Sequence, residues 1–301
     1  MKVLVVGGGG REHALTWKLQ QSPRVDAIFC APGNAGTEEL GVNVAIPPND
    51  SASLVRFAKQ NQIGLTVVGP DDPLAAGLVD EFQKANLRIF GPTKSAAQLE
   101  WSKVFAKQLM RSAGVPTAMA EVFEDSQKAC RFAQKLRYPL VIKADGLAAG
   151  KGVVIASNAA DAIETITDII DRGRFGTAGA RVLIEEFLQG WECSLHVLVT
   201  DERYRVLGTA CDHKRLLDGN EGPNTGGMGA YSPAAAWQTG LEKQFAQKIM
   251  TRVDVIDARN FSGHLGDYAS DRCHAENAKR AEGFQVGLET GASARVGACD
   301  R

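Results

Sequence analysis

The sequence predicts an α/β protein that opens with a parallel sheet and continues into a region organised around a glycine-rich loop. Three observations carry this. Apolar, β-branched runs alternate with helical patterns through residues 1–100, with Gly or Gly-Pro turns after the runs. The stretch YPLVIKADGLAAGKGVVIA, Tyr138 to Ala156, reads as strand, glycine loop and strand, with Lys143 and Lys151 flanking the loop. Hydrophobic content of 44%, charged content of 23% and a net charge of −1 are those of an ordinary globular chain. Such a balance points to no general nucleic-acid or membrane surface, so any phosphate site must be local.

In the first region, Lys2 to Val6 (KVLVV) is a buried strand running into Gly7-Gly8-Gly9-Gly10 and then a helix beginning near Arg11. A helix start of this kind can hold a phosphate or carboxylate on its N–H groups. It does not match a dinucleotide fingerprint, because the last glycine position of GxGxxG falls on Glu12 or His13. Ala27 to Cys30 is a second strand, followed by APGNAGT, in which Asn34 reads as completing a turn. A helix from about Ser51 to Gln60, strands at Leu65–Val68 and Leu87–Phe90, and an intervening helix complete an α/β domain. Its ligands would collect at the strands' carboxyl ends.

From Gln98 to Lys107 the pattern is helical, with Lys103 and Lys107 at i, i+4 read as a solvated face. Glu121 to Leu136 reads as another helix. In the loop after Lys143, small residues let backbone amides approach an anion, and Gly supplies the positive φ of such a cradle. Two lysines in a strand–loop–strand setting favour a polyphosphate over a plain hairpin. Ala159 to Arg172 is a helix, and Arg181 to Phe187 a strand ending in two acids. Cys193 to Thr200 pairs with Tyr204 to Leu207. Beyond Asp212-His213-Lys214-Arg215, residues 221–233 (EGPNTGGMGAYSP) read as a long loop suited to closing over a polyanion. The six cysteines form no CxxC pair, and Met1-Lys2 enters a strand directly. Both features are expected of a cytoplasmic chain with reduced thiols.

Seven stretches together resemble one family: GGGGREHAL (7–15), APGNAGT (31–37), VVGPDDPL (67–74), IFGPT (89–93), VIKADGLAAGKGV (141–153), VLIEEFLQGWE (182–192) and GPNTGGMGAYSP (222–233). Their order and spacing are similar to those of the phosphoribosylamine–glycine ligases of the ATP-grasp superfamily. The resemblance implies a parallel α/β (pre-ATP-grasp) domain over 1–100. An incomplete ATP-grasp region would cover 101–250, with a lid at about 120–190. It also implies ATP, Mg²⁺ or Mn²⁺, glycine and 5-phosphoribosylamine as cofactors and substrates, a monomer, and no nucleic-acid or membrane partner. The reaction would join glycine to phosphoribosylamine through glycyl phosphate, in purine biosynthesis.

By the same resemblance Lys103 and Lys143 would contact phosphates, and Ala149, Gly150, Lys151 and Gly152 would fold over them. Glu185, Glu186 and Leu188 would hold the adenine edge, and Glu192 the ribose. Lys214, Arg215, Asn224 and Gly226 would act at the reacting groups, beside Thr225, Gly227 and Met228. Gly9, Gly10, Arg11, Glu12, Asn34 and Thr37 would form the phosphoribosylamine side. Trp101 and Trp191 depart from the family pattern, and Asp212, Asp218 and Glu221 do not make its metal pair. From Thr251 to Arg301 nothing matches, and the composition suits a poorly ordered tail arising from a shifted reading frame or a truncated gene. The competing expectation is an inactive fragment retaining at most nucleotide binding.

Overall fold

The computed structural model describes residues 1–148, 152–190, 192–199, 204–235, 237, 239–250, 269–275, 284–288 and 294–295. The chain divides into two compact units, one built mainly of Met1–Ala97 and a second that begins at Gln98. Among the described residues no helix is long and apolar enough to cross a membrane. Cys30, Cys130, Cys193 and Cys211 are free thiols.

The first unit runs β1 (Lys2–Gly7), α1 (Gly10–Gln20), β2 (Ala27–Pro32), α2 (Ala35–Glu38), β3 (Val42–Asn43), α3 (Ser51–Gln60), β4 (Ile63–Val68), α4 (Asp71–Ala76), α5 (Leu78–Lys84) and β5 (Ile89–Phe90). Its five strands are parallel, in the order β3-β2-β1-β4-β5. The central strand has no solvent face, so Val3, Leu4, Val5 and Val6 are all fully buried. Val3 and Val5 pack with Ile28, Cys30 and Val67. The chain winds out from β1 through β2 to β3 and then returns to β4 on the other side. The carboxyl end of β1 is therefore a topological switch point, and Gly7 to Gly10 occupy it.

The second unit begins with α6 (Gln98–Trp101), α7 (Lys103–Ala113), β6 (Ala120–Phe123), α8 (Ser126–Ala133), β7 (Leu140–Ala144), β8 (Val153–Ala156), α9 (Ala159–Ile170) and β9 (Val182–Glu186). These strands form an antiparallel sheet, β6-β9-β7-β8. Leu140, Ile142 and Ala144 of β7 with Val182 and Ile184 of β9 pack on α8 and α9. Alternation then sends Val141 and Lys143, with Leu183 and Glu185, to the opposite face. There, β7 and β9 pair Lys143 with Leu183 and Val141 with Glu185, which makes Lys143 and Glu185 diagonal neighbours.

A further sheet orders β12-β11-β10-β13-β14, with β15 also on β10. Its strands are β10 (Ser194–Val199), β11 (Tyr204–Leu217), β12 (Glu221–Tyr231), β13 (Ala269–Ala275), β14 (Phe284–Leu288) and β15 (Ala294–Arg295). Helix α10 (Thr239–Phe245) follows β12 and runs into a π turn, Ala246–Met250. The last three strands fall inside the stretch expected to be poorly ordered.

Three local expectations need correction. The helix read from Gln98 to Lys107 breaks at Ser102, whose Oγ caps α7 by accepting from the Phe105 amide at 3.2 Å. The helix read over Glu121 to Leu136 is a strand followed by α8. Ala120–Phe123 pairs with β9, and Asp125 starts the helix by accepting from the Lys128 amide at 2.7 Å. The long loop read at 221–233 is mostly strand β12, paired antiparallel with a β11 that extends well past Leu207. Register shifts near His213 and Arg215, with positive φ at Gly222 (79°) and Gly227 (128°), absorb the glycines.

Candidate functional site

The glycine loop between β7 and β8 is anchored by one buried carboxylate. Asp145 Oδ1 accepts from the Val104 amide at 2.8 Å and Ser102 Oγ at 3.1 Å, while Oδ2 takes both Arg181 Nε (3.0 Å) and Nη2 (2.5 Å). Its backbone carbonyl accepts from the Lys103 amide at 3.1 Å, and its own amide donates to the Arg181 carbonyl at 3.1 Å. Asp145 thus ties the loop to the start of α7 and the approach to β9. A Cβ on Gly146 would lie 2.6 Å from that of Ala178, and one on Gly152 would lie 2.8 Å from that of Ala148. Both glycines are steric requirements. Lys103 Nζ donates to the Gly146 carbonyl at 3.0 Å. Ala149, Gly150 and Lys151 lie outside the described residues.

Behind this loop stands a trio of charges. Glu185, buried on β9, places Oε2 2.6 Å from Lys143 Nζ and Oε1 3.1 Å from Lys107 Nζ. Lys107 also donates to Thr117 Oγ1 at 2.7 Å and the Ala118 carbonyl at 3.0 Å. Burial alone would raise the Glu185 pKa, but the Lys143 and Lys107 ammoniums outweigh it and hold the carboxyl below its ordinary range. Burial pulls Lys107 below the usual lysine value, opposed by Glu185 and aided by Lys143 and Arg111. The expectation of a solvated Lys103–Lys107 face fails at Lys107, whose side chain is 6% exposed. Its partners come from Thr117 and Ala118, ahead of β6, and from β9, so no pattern within the helix announces it.

Glu186 secures the edge of the sheet: its Oε1 accepts from the Met119 amide at 2.8 Å, and its own amide donates to the Met119 carbonyl at 3.1 Å. Leu188 and Glu192 follow β9 and are half-buried. On the β11–β12 hairpin, Arg215 is paired in register with Asn224 and donates to the Gly222 carbonyl. Thr225 Oγ1 donates to the Lys214 carbonyl at 2.9 Å and accepts from the Gly227 amide at 3.0 Å. Gly226 lies in β12 between them, and Met228 is exposed.

In the first unit, the predicted residues are gathered at the switch point, but several serve the fold. Glu12 is buried, and its Oε2 accepts from the Gly9 amide at 2.6 Å. A Cβ on Gly69 would fall 1.9 Å from Glu12 Oε1. Asn34 caps α2, taking the Thr37 amide at 3.0 Å, and donates to the Gly8 and Gly9 carbonyls at 3.0 and 3.2 Å. Thr37 Oγ1 accepts from the Asn34 amide at 2.7 Å and reaches Asn43 Oδ1 at 2.7 Å. Around Gly10 a Cβ would meet nothing within 4 Å. Arg11 donates to the Gly69 carbonyl and lies 3.9 Å from Asp71 Oδ1, a buried oxygen without a hydrogen-bond partner. Burial raises the Asp71 pKa although Arg11 opposes it.

No three His, Cys, Asp or Glu side chains converge as a metal cage among the described residues.

Residues 1–100 match the phosphoribosylglycinamide synthetase N domain, and residues 101–266 match its ATP-grasp (A) domain, running past the Met250 boundary read from the sequence. The chain is 48% identical over 268 residues to a phosphoribosylamine–glycine ligase of Halalkalibacterium halodurans, a match covering 88% of this chain and 63% of that protein. A second such ligase, from Allochromatium vinosum, is 51% identical over 252 residues, covering 83% of this chain and 59% of that protein. The chain therefore spans about three fifths of these relatives' length. The crystal structure of the Thermotoga maritima phosphoribosylamine–glycine ligase superposes with a TM-score of 0.79 at 28% identity, covering 98% of this chain and 68% of that one. A biotin carboxylase domain from Hydrogenobacter thermophilus, in complex with MgADP and bicarbonate, shares the fold at a TM-score of 0.71 and 14% identity, over 97% of this chain and 63% of that one. With both domains matched in order along residues 1–266, this chain belongs to the phosphoribosylglycinamide synthetase family, with an N domain followed by an ATP-grasp domain.

Proposed function

We propose that this chain takes part in an ATP-dependent carbon–nitrogen ligation joining glycine to 5-phosphoribosylamine, with ADP, phosphate and glycinamide ribonucleotide as products. The observation that supports it most is Lys143, held 2.6 Å from Glu185 at the end of β7, where the glycine loop begins, in a chain whose relatives carry that ligase name.

The chemistry needs an activated carboxylate, because oxide cannot leave from glycine at neutral pH. A glycine carboxylate oxygen attacks the γ-phosphorus of ATP; the bond to the β–γ bridging oxygen breaks, and ADP departs. The amine of phosphoribosylamine then attacks the acyl carbon, expelling phosphate and losing a proton. Catalysis of this kind is mostly positioning and charge neutralisation. Lys143 and Lys103 supply positive charge beside the loop, and Gly146 and Gly152 keep it free of Cβ atoms that would collide with Ala178 and Ala148. Glu185, Glu186 and Leu188 present the adenine-side backbone, and Glu192 the ribose acceptor. Ala149, Gly150 and Lys151, outside the described residues, are assigned to the phosphates by the family resemblance alone. Lys214, Arg215, Asn224 and Gly226, with Thr225, Gly227 and Met228, address the reacting phosphoryl group and glycine. Gly9, Gly10 and Arg11 take the phosphoribosylamine side, with Glu12, Asn34 and Thr37 shaping it. The Mg²⁺ or Mn²⁺ expected of the family finds no fitting donor set among the described residues.

Isothermal titration of the chain with ATP, with and without Mg²⁺, followed by phosphate release on adding glycine and phosphoribosylamine, tests this reading. Phosphate release requiring both substrates supports the ligase. ATP binding without release restricts the function to nucleotide binding, and no binding removes both.

A further inference from the structure

The two lysines on Glu185 are not equivalent. Lys107 is 6% exposed and has three acceptors for its three N–H bonds: Glu185 Oε1, Thr117 Oγ1 and the Ala118 carbonyl. Lys143 is 27% exposed and is held by Glu185 Oε2. One ammonium is locked in place, and the other can change partner. A carboxylate as buried as Glu185 could not release its only cation without becoming a lone buried charge, a loss of several kcal/mol.

We propose that Lys107 is a positioning residue: a permanent countercharge that stays with Glu185 when Lys143 leaves, so that Glu185 can hold Lys143 at the loop and release it to an incoming polyanion. This rests on the nucleotide-binding reading above. The charged groups acting on Glu185 are Lys143 from β7 and Lys107 from α7, with Arg111 of α7 acting on Lys107. Counting charges, the intact trio carries a net +1. Lys107→Met leaves Glu185 and Lys143 cancelling each other. Lys107→Met combined with Glu185→Gln returns the set to +1, with near-isosteric side chains. A residue that merely braced the fold would show the double variant weaker than the single; the charge argument requires the reverse.

The test compares wild type, Lys107→Met and the double variant at about pH 8, where a buried carboxyl facing one lysine is still ionised. The single variant should bind ATP about tenfold more weakly, the scale of one unit charge acting through a few ångström of partly wet protein. The double variant should regain most of that loss. In the single variant the deficit should shrink on acidification, since burial raises the Glu185 pKa once a countercharge is gone, and protonation frees Lys143. A second readout needs no nucleotide. Acylation of Lys143 by acetic anhydride, followed by peptide mass spectrometry, should be slower in Lys107→Met than in wild type and faster in the double variant. If wild type fails to bind ATP but labelling follows that order, the nucleotide reading falls and the positioning role stands. Equal labelling in all three proteins, or a double variant weaker than the single, overturns the proposal. Should Lys107→Met not fold, Glu185→Gln alone decides: Lys143 must label faster than in wild type, and unchanged labelling overturns the idea.

Discussion

At the end of β1 the glycine loop closes on its own helix, with Glu12 taking the Gly9 amide and Asn34 donating to the Gly8 and Gly9 carbonyls. At the end of β7 the loop is gripped from outside instead, by Asp145 through Arg181, Ser102 and the α7 amides, with Lys103 and Lys143 beside it. Both stretches are rich in glycine, and both follow a buried strand. Glycine content shows only that the backbone can come close to something. Which charge it approaches is decided by the side chains around it: an internal carboxylate in the first unit, cations in the second.

The largest effect is expected of Asp145→Ala. It leaves the Val104 amide and the Arg181 guanidinium without their shared partner, and a loss of about 3 kcal/mol is expected in urea unfolding of the second unit. A loss below about 1 kcal/mol would mean that the loop is not anchored there. Glu12→Ala removes a buried capping carboxylate packed against Gly7, Gly9 and Gly69, and about 2 kcal/mol should disappear from the first unit. Asn34→Ala should cost about 1 kcal/mol, the ordinary value of an N-cap; a cost well beyond the Glu12 effect would reverse the ranking.

The smallest effect is electrostatic. Burial raises the Asp71 pKa in the folded state, with Arg11 opposing. The stability this group contributes is therefore complete below the unfolded aspartate value and is lost as pH rises through the raised one. Asp71→Asn cannot ionise and escapes that loss. Its melting temperature relative to wild type should climb by about 1–3 °C between acid and neutral pH, and a flat difference would contradict the shift.

Much of the frame was legible in the sequence. KVLVV could only be a buried strand, and the strand–glycine loop–strand pattern from Tyr138 to Ala156 appears as β7 and β8. The parallel sheet followed from strands and helices alternating through residues 1–90. Less legible were elements whose identity depends on a partner. Residues 120–123 are strand because β9 lies alongside, and Ser102 interrupts a helical run because Asp145 takes the Val104 amide that a continued helix would have used. The 221–231 stretch reads as loop by composition, yet it pairs with β11 through bulges that accommodate its glycines. Lys107 is the clearest case at the site, since an i, i+4 lysine pair signals a wet surface until another element covers one member.

By itself the sequence determined the periodicities, the positions of the glycines and the placing of a lysine at a strand's end, because strand alternation and backbone sterics act over a few residues. The tertiary structure alone decided which charges meet. Lys107 comes from α7, Lys143 from β7 and Glu185 from β9, and ionisation in such a set depends on burial and on countercharges within a few ångström. Those distances are created by packing between segments far apart in the chain, and local pattern carries no record of them.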